Sequence, residues 1–327
     1  MIIIIILMME KRQLTALLTL FAGVTFWTGC TPSSENPTDS PSSQAETIDV
    51  TVSILPQKYF VERIGGETVD VNVMVEPGAS PATYEPKPQQ MKALSDAEAY
   101  MAMGVPFEKA WMSRIKTANK DMKIVDLTQG IERQPMAAHH HHKESDHDHN
   151  HDHDHTEETA NLDPHIWLSP ELVKKQAETI YNALVEVNPE QEAYYQENRD
   201  QLISDINQLD QTIEKTLADL DNRTFMVFHP AWGYFAQEYN LEMIPVEVGG
   251  TKPSASEMSE FIKQAKAEQI SVIFVQPQFG VSSVKPIAQS VDAEVLEIDP
   301  LAENWLENMQ SVATTFKDAL SSKSDQE

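Results

Sequence analysis

From Ile48 onward, short β-branched runs alternate with longer stretches whose apolar residues recur every three or four positions. The first pattern marks strands and the second marks one face of a helix. IDVTVSIL (48–55) and VDVNVMV (69–75) read as strands, with a short helix carrying Tyr59, Phe60, Val61 and Ile64 between them. Residues 91–97 read as helix, 99–103 as strand, 107–118 as helix and 123–126 as strand. Ser169 is a suitable N-cap and Pro170 a suitable first helical residue for a helix that places Val173, Ala177, Ile180, Leu184 and Val187 on one face. A second helix starts at Asn188 and Pro189. Its apolar residues, Tyr195, Leu202, Ile206, Leu209, Ile213, Leu217 and Leu220, keep a near-heptad spacing as far as Asp221. At ~1.5 Å per residue this predicts a rod of roughly 48 Å. Alternation then resumes, with strands at 224–228, 243–247, 271–276 and 294–298 and helices at 232–238, 257–268, 284–290 and 305–320.

Such alternation implies parallel β-α units. The predicted fold is α/β: two lobes with parallel-type sheets flanked by helices, joined by a long rigid linking helix. The first lobe is expected over 48–187, the linking helix over 188–221 and the second lobe over 222–327. Residues 1–30 read as an export signal, with Lys11 and Arg12 ahead of an apolar core from Leu14 to Trp27 that is short for a membrane span. It ends at Thr28, Gly29 and Cys30, the only cysteine, where cleavage and lipidation of a bacterial lipoprotein are expected. Residues 31–47, rich in Ser, Pro, Thr and Glu, read as a flexible tether.

The 327 residues, 41% of them hydrophobic, suffice for two packed cores. A formal net charge of -27 argues against nucleic acid or an anionic membrane surface as partner and suits the attraction of cations. No intramolecular disulfide is possible.

Nine of the 11 histidines lie in one acidic run, HHHHKESDHDHNHDHDH, at His139, His140, His141, His142, His147, His149, His151, His153 and His155. Neutral imidazole is a ligand for borderline-soft divalent ions, and the run contains no thiolate, so zinc leads. Without apolar residues the run forms no core of its own and is expected to be a loop of weak, exchangeable sites. The other two histidines fall where an open α/β fold collects ligands, beyond the carboxyl ends of strands. His229 follows TFMVF, His165 precedes the Ser169 helix, and Asp299 follows EVLEI. Two imidazoles and a carboxylate are three of the four donors that tetrahedral zinc takes. Each has a plainer reading: His229 as a core histidine or helix cap, Asp299 and Asp163 as turn residues before proline. Gln276, at another strand end, ranks as a group behind the ligands.

PGASPATYEPKPQQM (77–91), the histidine-rich run, DPHIWLSP (163–170), FHPAWGYFA (228–236) and IDPL (298–301) together resemble the zinc-uptake solute-binding proteins of ABC transporters, the ZnuA/TroA-type cluster A-I lipoproteins. The resemblance implies two lobes on a long helix, a metal in the cleft between them, and His165, His229 and Asp299 as its ligands. It also implies delivery to a membrane permease driven by a separate ATPase, with zinc as transported ligand. The chain departs from the family at Ala82, where the first histidine ligand belongs. Water, a histidine of the 139–155 run, Glu85 or Tyr84 could supply the fourth donor.

A periplasmic or membrane-anchored monomeric zinc receptor accounts for these features together. A receptor for manganese, iron or nickel and a metal-sequestering or cell-adhesion lipoprotein are the alternatives. A zinc hydrolase would need a base motif such as HExxH, and the chain contains none.

Overall fold

The computed structural model describes residues 47–137, 162–247 and 253–321. Two four-stranded parallel sheets form, each from a β-α succession. The first contains β1 (Ile48–Val52), β2 (Val69–Val73), β3 (Ala99–Ala102) and β4 (Lys123–Asp126) in the order β2-β1-β3-β4. Its crossover helices are α1 (Leu55–Gly65), α2 (Pro88–Asp96) and α3 (Pro106–Ala118). The second repeats this topology with β5 (Thr224–Val227), β6 (Glu242–Pro245), β7 (Val272–Val275) and β8 (Glu294–Glu297) in the order β6-β5-β7-β8. It carries α6 (Gly233–Glu238), α7 (Ala255–Ala267), α8 (Lys285–Val291) and the terminal α9 (Trp305–Leu320). The central strands β3 and β7 are apolar and buried at every residue, as strands covered on both faces require. Pro245 is tolerated because β6 is an edge strand.

Between the sheets run α4 (Pro170–Val187) and α5 (Glu192–Leu217). The Ser169 hydroxyl accepts from the Leu172 amide at 3.1 Å, the expected N-cap. The rod is shorter than the sequence pattern suggests. Pro189–Gln191 forms a separate 3-10 turn, and the Arg223 guanidinium donates to the carbonyls of Leu217 (3.1 Å) and Ala218 (3.0 Å) at the far end. The 26 residues of α5 span roughly 39 Å. Its first half is tied to the β1–β2 side: Tyr195 shares a hydroxyl hydrogen bond with Thr68 at 2.8 Å, and Asn198 donates to the Ile64 carbonyl at 3.0 Å. Its second half is tied to the other side, where the Tyr239 hydroxyl donates to Asp210 at 2.9 Å.

One apolar core continues from the first sheet through α4 and α5 to one face of the second, and a smaller core fills the space under α7 and α8. Phe316 of α9 packs among Phe225, Phe235 and Phe274, with ring centroids 4.6 to 5.5 Å away. Two indoles fasten the segment that carries His165. The Trp167 Nε1–H donates to the Pro300 carbonyl at 2.7 Å, and the Trp305 Nε1–H donates to the Trp167 carbonyl at 2.7 Å. Both tryptophans are buried, with Trp305 edge-on to Phe60 of α1.

Trp305→Phe keeps most of the apolar volume but strands the Trp167 carbonyl. It should lower the unfolding free energy by about 1–3 kcal/mol. A lower urea midpoint with unchanged slope is the expected result; an unchanged midpoint would show that the bond is dispensable.

Candidate metal centre

In both sheets the strand order reverses beside the first strand, and the carboxyl ends at such a point leave a crevice. Gly104 and Val105 follow β3, while His229 follows β5 and Gln276 follows β7. All four line one cavity of about 140 Å³, together with His165. His165 is brought there by the 3-10 turn Ile166–Leu168, whose indole is pinned as described.

The two imidazoles meet inside the cavity. His165 Nε2 and His229 Nε2 lie 3.3 Å apart, and the rings are 71° from coplanar. Each ring is backed by a carboxylate: Asp163 Oδ1 is 2.7 Å from His165 Nδ1, and Glu247 Oε2 is 2.6 Å from His229 Nδ1. An ionised carboxylate only accepts, so each Nδ1 carries the proton and, with both rings neutral, each Nε2 turns a lone pair toward the other. Two lone pairs at that distance repel unless a cation lies between them. Zinc–imidazole bonds of about 2.0–2.1 Å at a tetrahedral angle put two ligand nitrogens about 3.3–3.4 Å apart. The observed separation matches an edge of that tetrahedron.

Backbone hydrogen bonds set this geometry. The Glu247 amide donates to the Phe228 carbonyl at 2.9 Å, continuing the β5–β6 ladder past Pro245 and setting the carboxylate beside His229. On the other side the Gln276 side chain replaces a backbone partner, its Oε1 accepting from the His229 amide at 3.2 Å and its Nε2 donating to the His229 carbonyl at 2.6 Å. Asp163 Oδ1 also accepts from the His165 amide at 2.9 Å. The Tyr234 hydroxyl donates to the Asp163 carbonyl at 3.0 Å; burial pushes its pKa up to about 12, so it remains a donor. A Cβ on Gly233 would stand 3.1 Å from Asp163 Oδ2 and 2.8 Å from Gln134 Nε2, so a larger residue there would press on both side chains. Burial lowers the His165 pKa below the ordinary 6.5, with Asp163 opposing, and the ring is a neutral ligand at neutral pH.

The other expected ligands stand differently. Among the described residues no three His, Cys, Asp or Glu side chains converge on a metal position. Asp299 Oδ1 instead accepts from Gln278 Nε2 at 3.1 Å and from the Leu301 amide at 2.9 Å, the turn-forming role that an aspartate before proline readily takes. It lines a neighbouring cavity of about 250 Å³ with Glu76 and Glu303, and Gln278 lines both. Glu85 is exposed and lines neither cavity. The Tyr84 hydroxyl donates to Gln90 at 2.7 Å. Ala82 does line the histidine cavity. Cys30 and the run from His139 to His155 lie outside the described residues. Asp163 and Glu247 are what the sequence reading missed as functional groups. The signal for Asp163 was its place two residues before His165, and for Glu247 its place at the end of the strand beside the His229 strand.

The sequence profile described as "Zinc-uptake complex component A periplasmic" matches residues 50–319. The chain belongs to this zinc-uptake family. The high-affinity zinc uptake system protein ZnuA of Bacillus subtilis is 25% identical over 275 residues, 80% of this chain and 81% of that protein. The zinc-binding protein AdcA of Streptococcus pyogenes is 28% identical over 260 residues, 78% of this chain and 50% of that protein. A crystal structure of ZnuA is 42% identical and superposes with a TM-score of 0.76, covering 84% of this chain and 100% of that one. The laminin-binding protein Lbp of Streptococcus pyogenes shares the fold at 19% identity and a TM-score of 0.68, covering 84% of this chain and 99% of that one. The family is one of periplasmic solute-binding proteins, and among the described residues no helix is long and apolar enough to cross a membrane.

For this zinc-uptake chain, Asp163→Asn and Glu247→Gln should each weaken zinc binding by about 10–100-fold, since each frees an imidazole to choose the wrong tautomer. Competition against a chelating dye measures this, and affinity unchanged in both would remove the carboxylates from the site. The metal-free protein should also lose stability in acid. Unfolded His165 binds its proton near pH 6.5, whereas the folded residue resists it. Its contribution is complete above that pH and is lost as pH falls through the lowered folded value. Urea midpoints measured against pH should therefore decline below about 6.5, and less steeply in His165→Asn.

Proposed function

We propose that this chain is the extracytoplasmic receptor of a zinc importer, holding one zinc ion between His165 and His229 and releasing it to a membrane permease powered by a separate ATPase. The facing Nε2 pair, 3.3 Å apart with a carboxylate behind each ring, carries the reading. Two neutral imidazoles without a thiolate suit zinc, and the ion is cargo, so the site need not be closed on all sides.

Asp299 is the third ligand in this reading, reached when its side chain leaves Gln278, which stands between the two cavities. The histidines of 139–155 collect zinc and pass it inward. In support, Met136 and Leu162, on either side of the undescribed 138–161 stretch, both line the histidine cavity, and Pro135 pairs with Leu162 in an antiparallel bridge. The chain works as a monomer, lipidated at Cys30 and held to the membrane by residues 31–47. Its lobes run over 48–187 and 222–327, on the helix between them.

Zinc titration of a chain whose nine loop histidines are replaced by asparagine tests this assignment. One tight site should survive. His165→Ala and His229→Ala should each cost more than the about 10–100-fold expected for the carboxylates behind them. Survival of the tight site in both alanine variants would place it elsewhere. Asp299→Ala should also weaken binding by about tenfold or more, and unchanged affinity would remove the residue from the ligand set.

A further inference from the structure

Pro135 and Leu162 meet in an isolated antiparallel bridge. The next residues in register, Gln134 and Asp163, would exchange two backbone hydrogen bonds in a regular pairing of this kind. Only one is direct: the Asp163 amide donates to the Gln134 carbonyl at 2.9 Å. The other is intercepted by a side chain of α6. The Gln134 amide donates to the Tyr234 hydroxyl at 3.1 Å, and that hydroxyl donates in turn to the Asp163 carbonyl at 3.0 Å. A hydroxyl both accepts and donates, so it fits between the two groups and keeps them apart by its own width. The buried Asp163 side chain depends on this arrangement. Its Oδ1 takes the Nδ1–H and the amide of His165, while its Oδ2 is 3.4 Å from Gln134 Nε2. Gly233 brings the start of α6 against the same two side chains. Tyr234 comes five residues after His229 in FHPAWGYFA, so one segment supplies one imidazole and braces the carboxylate behind the other.

We infer that Tyr234 is a positioning residue of the zinc site: its inserted hydroxyl sets where Asp163 meets His165 Nδ1, and so fixes the tautomer that leaves Nε2 free for the metal. This rests on the zinc reading of the histidine pair. Phenylalanine at 234 keeps the ring and its packing but removes the spacer. The Gln134 amide is then free to donate directly to the Asp163 carbonyl, which closes the pairing and draws Asp163 away from His165. Both backbone groups stay bonded after that closure, so positioning and stability come apart in this variant.

Replacing the nine loop histidines by asparagine leaves His165 and His229 as the only imidazoles of the full chain, so nitrogen NMR of the metal-free protein reads their tautomers without overlap. At about pH 8, above the ordinary histidine pKa, the parent should show both rings protonated at Nδ1. Tyr234→Phe should shift His165 toward the Nε2–H form and leave His229 unchanged. It should also weaken zinc binding by about tenfold, the low end of what losing a ligand's hydrogen-bond partner costs. Its urea midpoint should stay close to the parent's. In an Asp163→Asn background the same substitution should cost no further affinity, because the carboxylate through which it acts is gone. Gln134→Leu, which removes only the longer bond to Oδ2, should move the His165 tautomer in the same direction and less. An unchanged His165 tautomer in Tyr234→Phe, or an equal loss of affinity with and without Asp163, would overturn the inference while leaving the zinc site in place. A tight zinc site that survives both His165→Ala and His229→Ala would overturn the zinc reading, and the part of Tyr234 in metal binding with it.

Discussion

Two imidazole lone pairs directed at each other across 3.3 Å are the constraint around which this structure is arranged. Left to themselves, the rings would rotate apart or share a proton. Neither escape is free here. The Nδ1 atoms are held by Asp163 and Glu247, and burial opposes protonation of His165. What stabilises the pair best is a cation with the bond length and angle of zinc, so the protein's own repulsion becomes a source of affinity. In the proposed zinc site the same carboxylates supply charge without occupying coordination positions, which would leave the ion room to depart.

That arrangement lasts only if the segments carrying the two histidines keep their spacing. His165 immediately precedes a short 3-10 turn and His229 follows a strand of the second sheet, so their distance depends on tertiary contacts. Trp167 and Trp305 supply them through two buried indole hydrogen bonds that join the His165 turn to the Pro300 loop and to α9. The helix α5 adds a second brace, bonded to the first sheet's helices at one end and to the Tyr239 region at the other. Gln276 fixes His229 by both backbone groups, acting as one more rung of the sheet. A continuous apolar core beneath these contacts favours small adjustments at the cavity over wide hinge opening.

Much of this was legible in the residue pattern. Strand and helix types followed from periodicity, because parallel strands buried on both faces are continuous apolar runs and the covering helices carry one apolar stripe. The length of α5 was overread because Leu220 continues the stripe while the hydrogen bonding does not; Arg223 caps the helix before it. His165 and His229 were found from their places at segment ends. Asp163 and Glu247 were not, since recognising a carboxylate as the partner of a particular ring requires knowing which strand end lies beside which. Both readings of Asp299, ligand and turn residue, were visible, and without metal its side chain lies in the turn with Gln278. The family resemblance alone drew attention to Ala82, and that it lines the same cavity as the histidines depends on the tertiary fold.

The central claim is that one zinc ion joins the two imidazoles. X-ray absorption at the zinc edge, on the full chain with the loop histidines replaced and one equivalent of zinc bound, tests it most directly. Two imidazole nitrogens at about 2.0–2.1 Å, with their outer-ring scattering, are predicted. A spectrum with one imidazole or none would contradict the account.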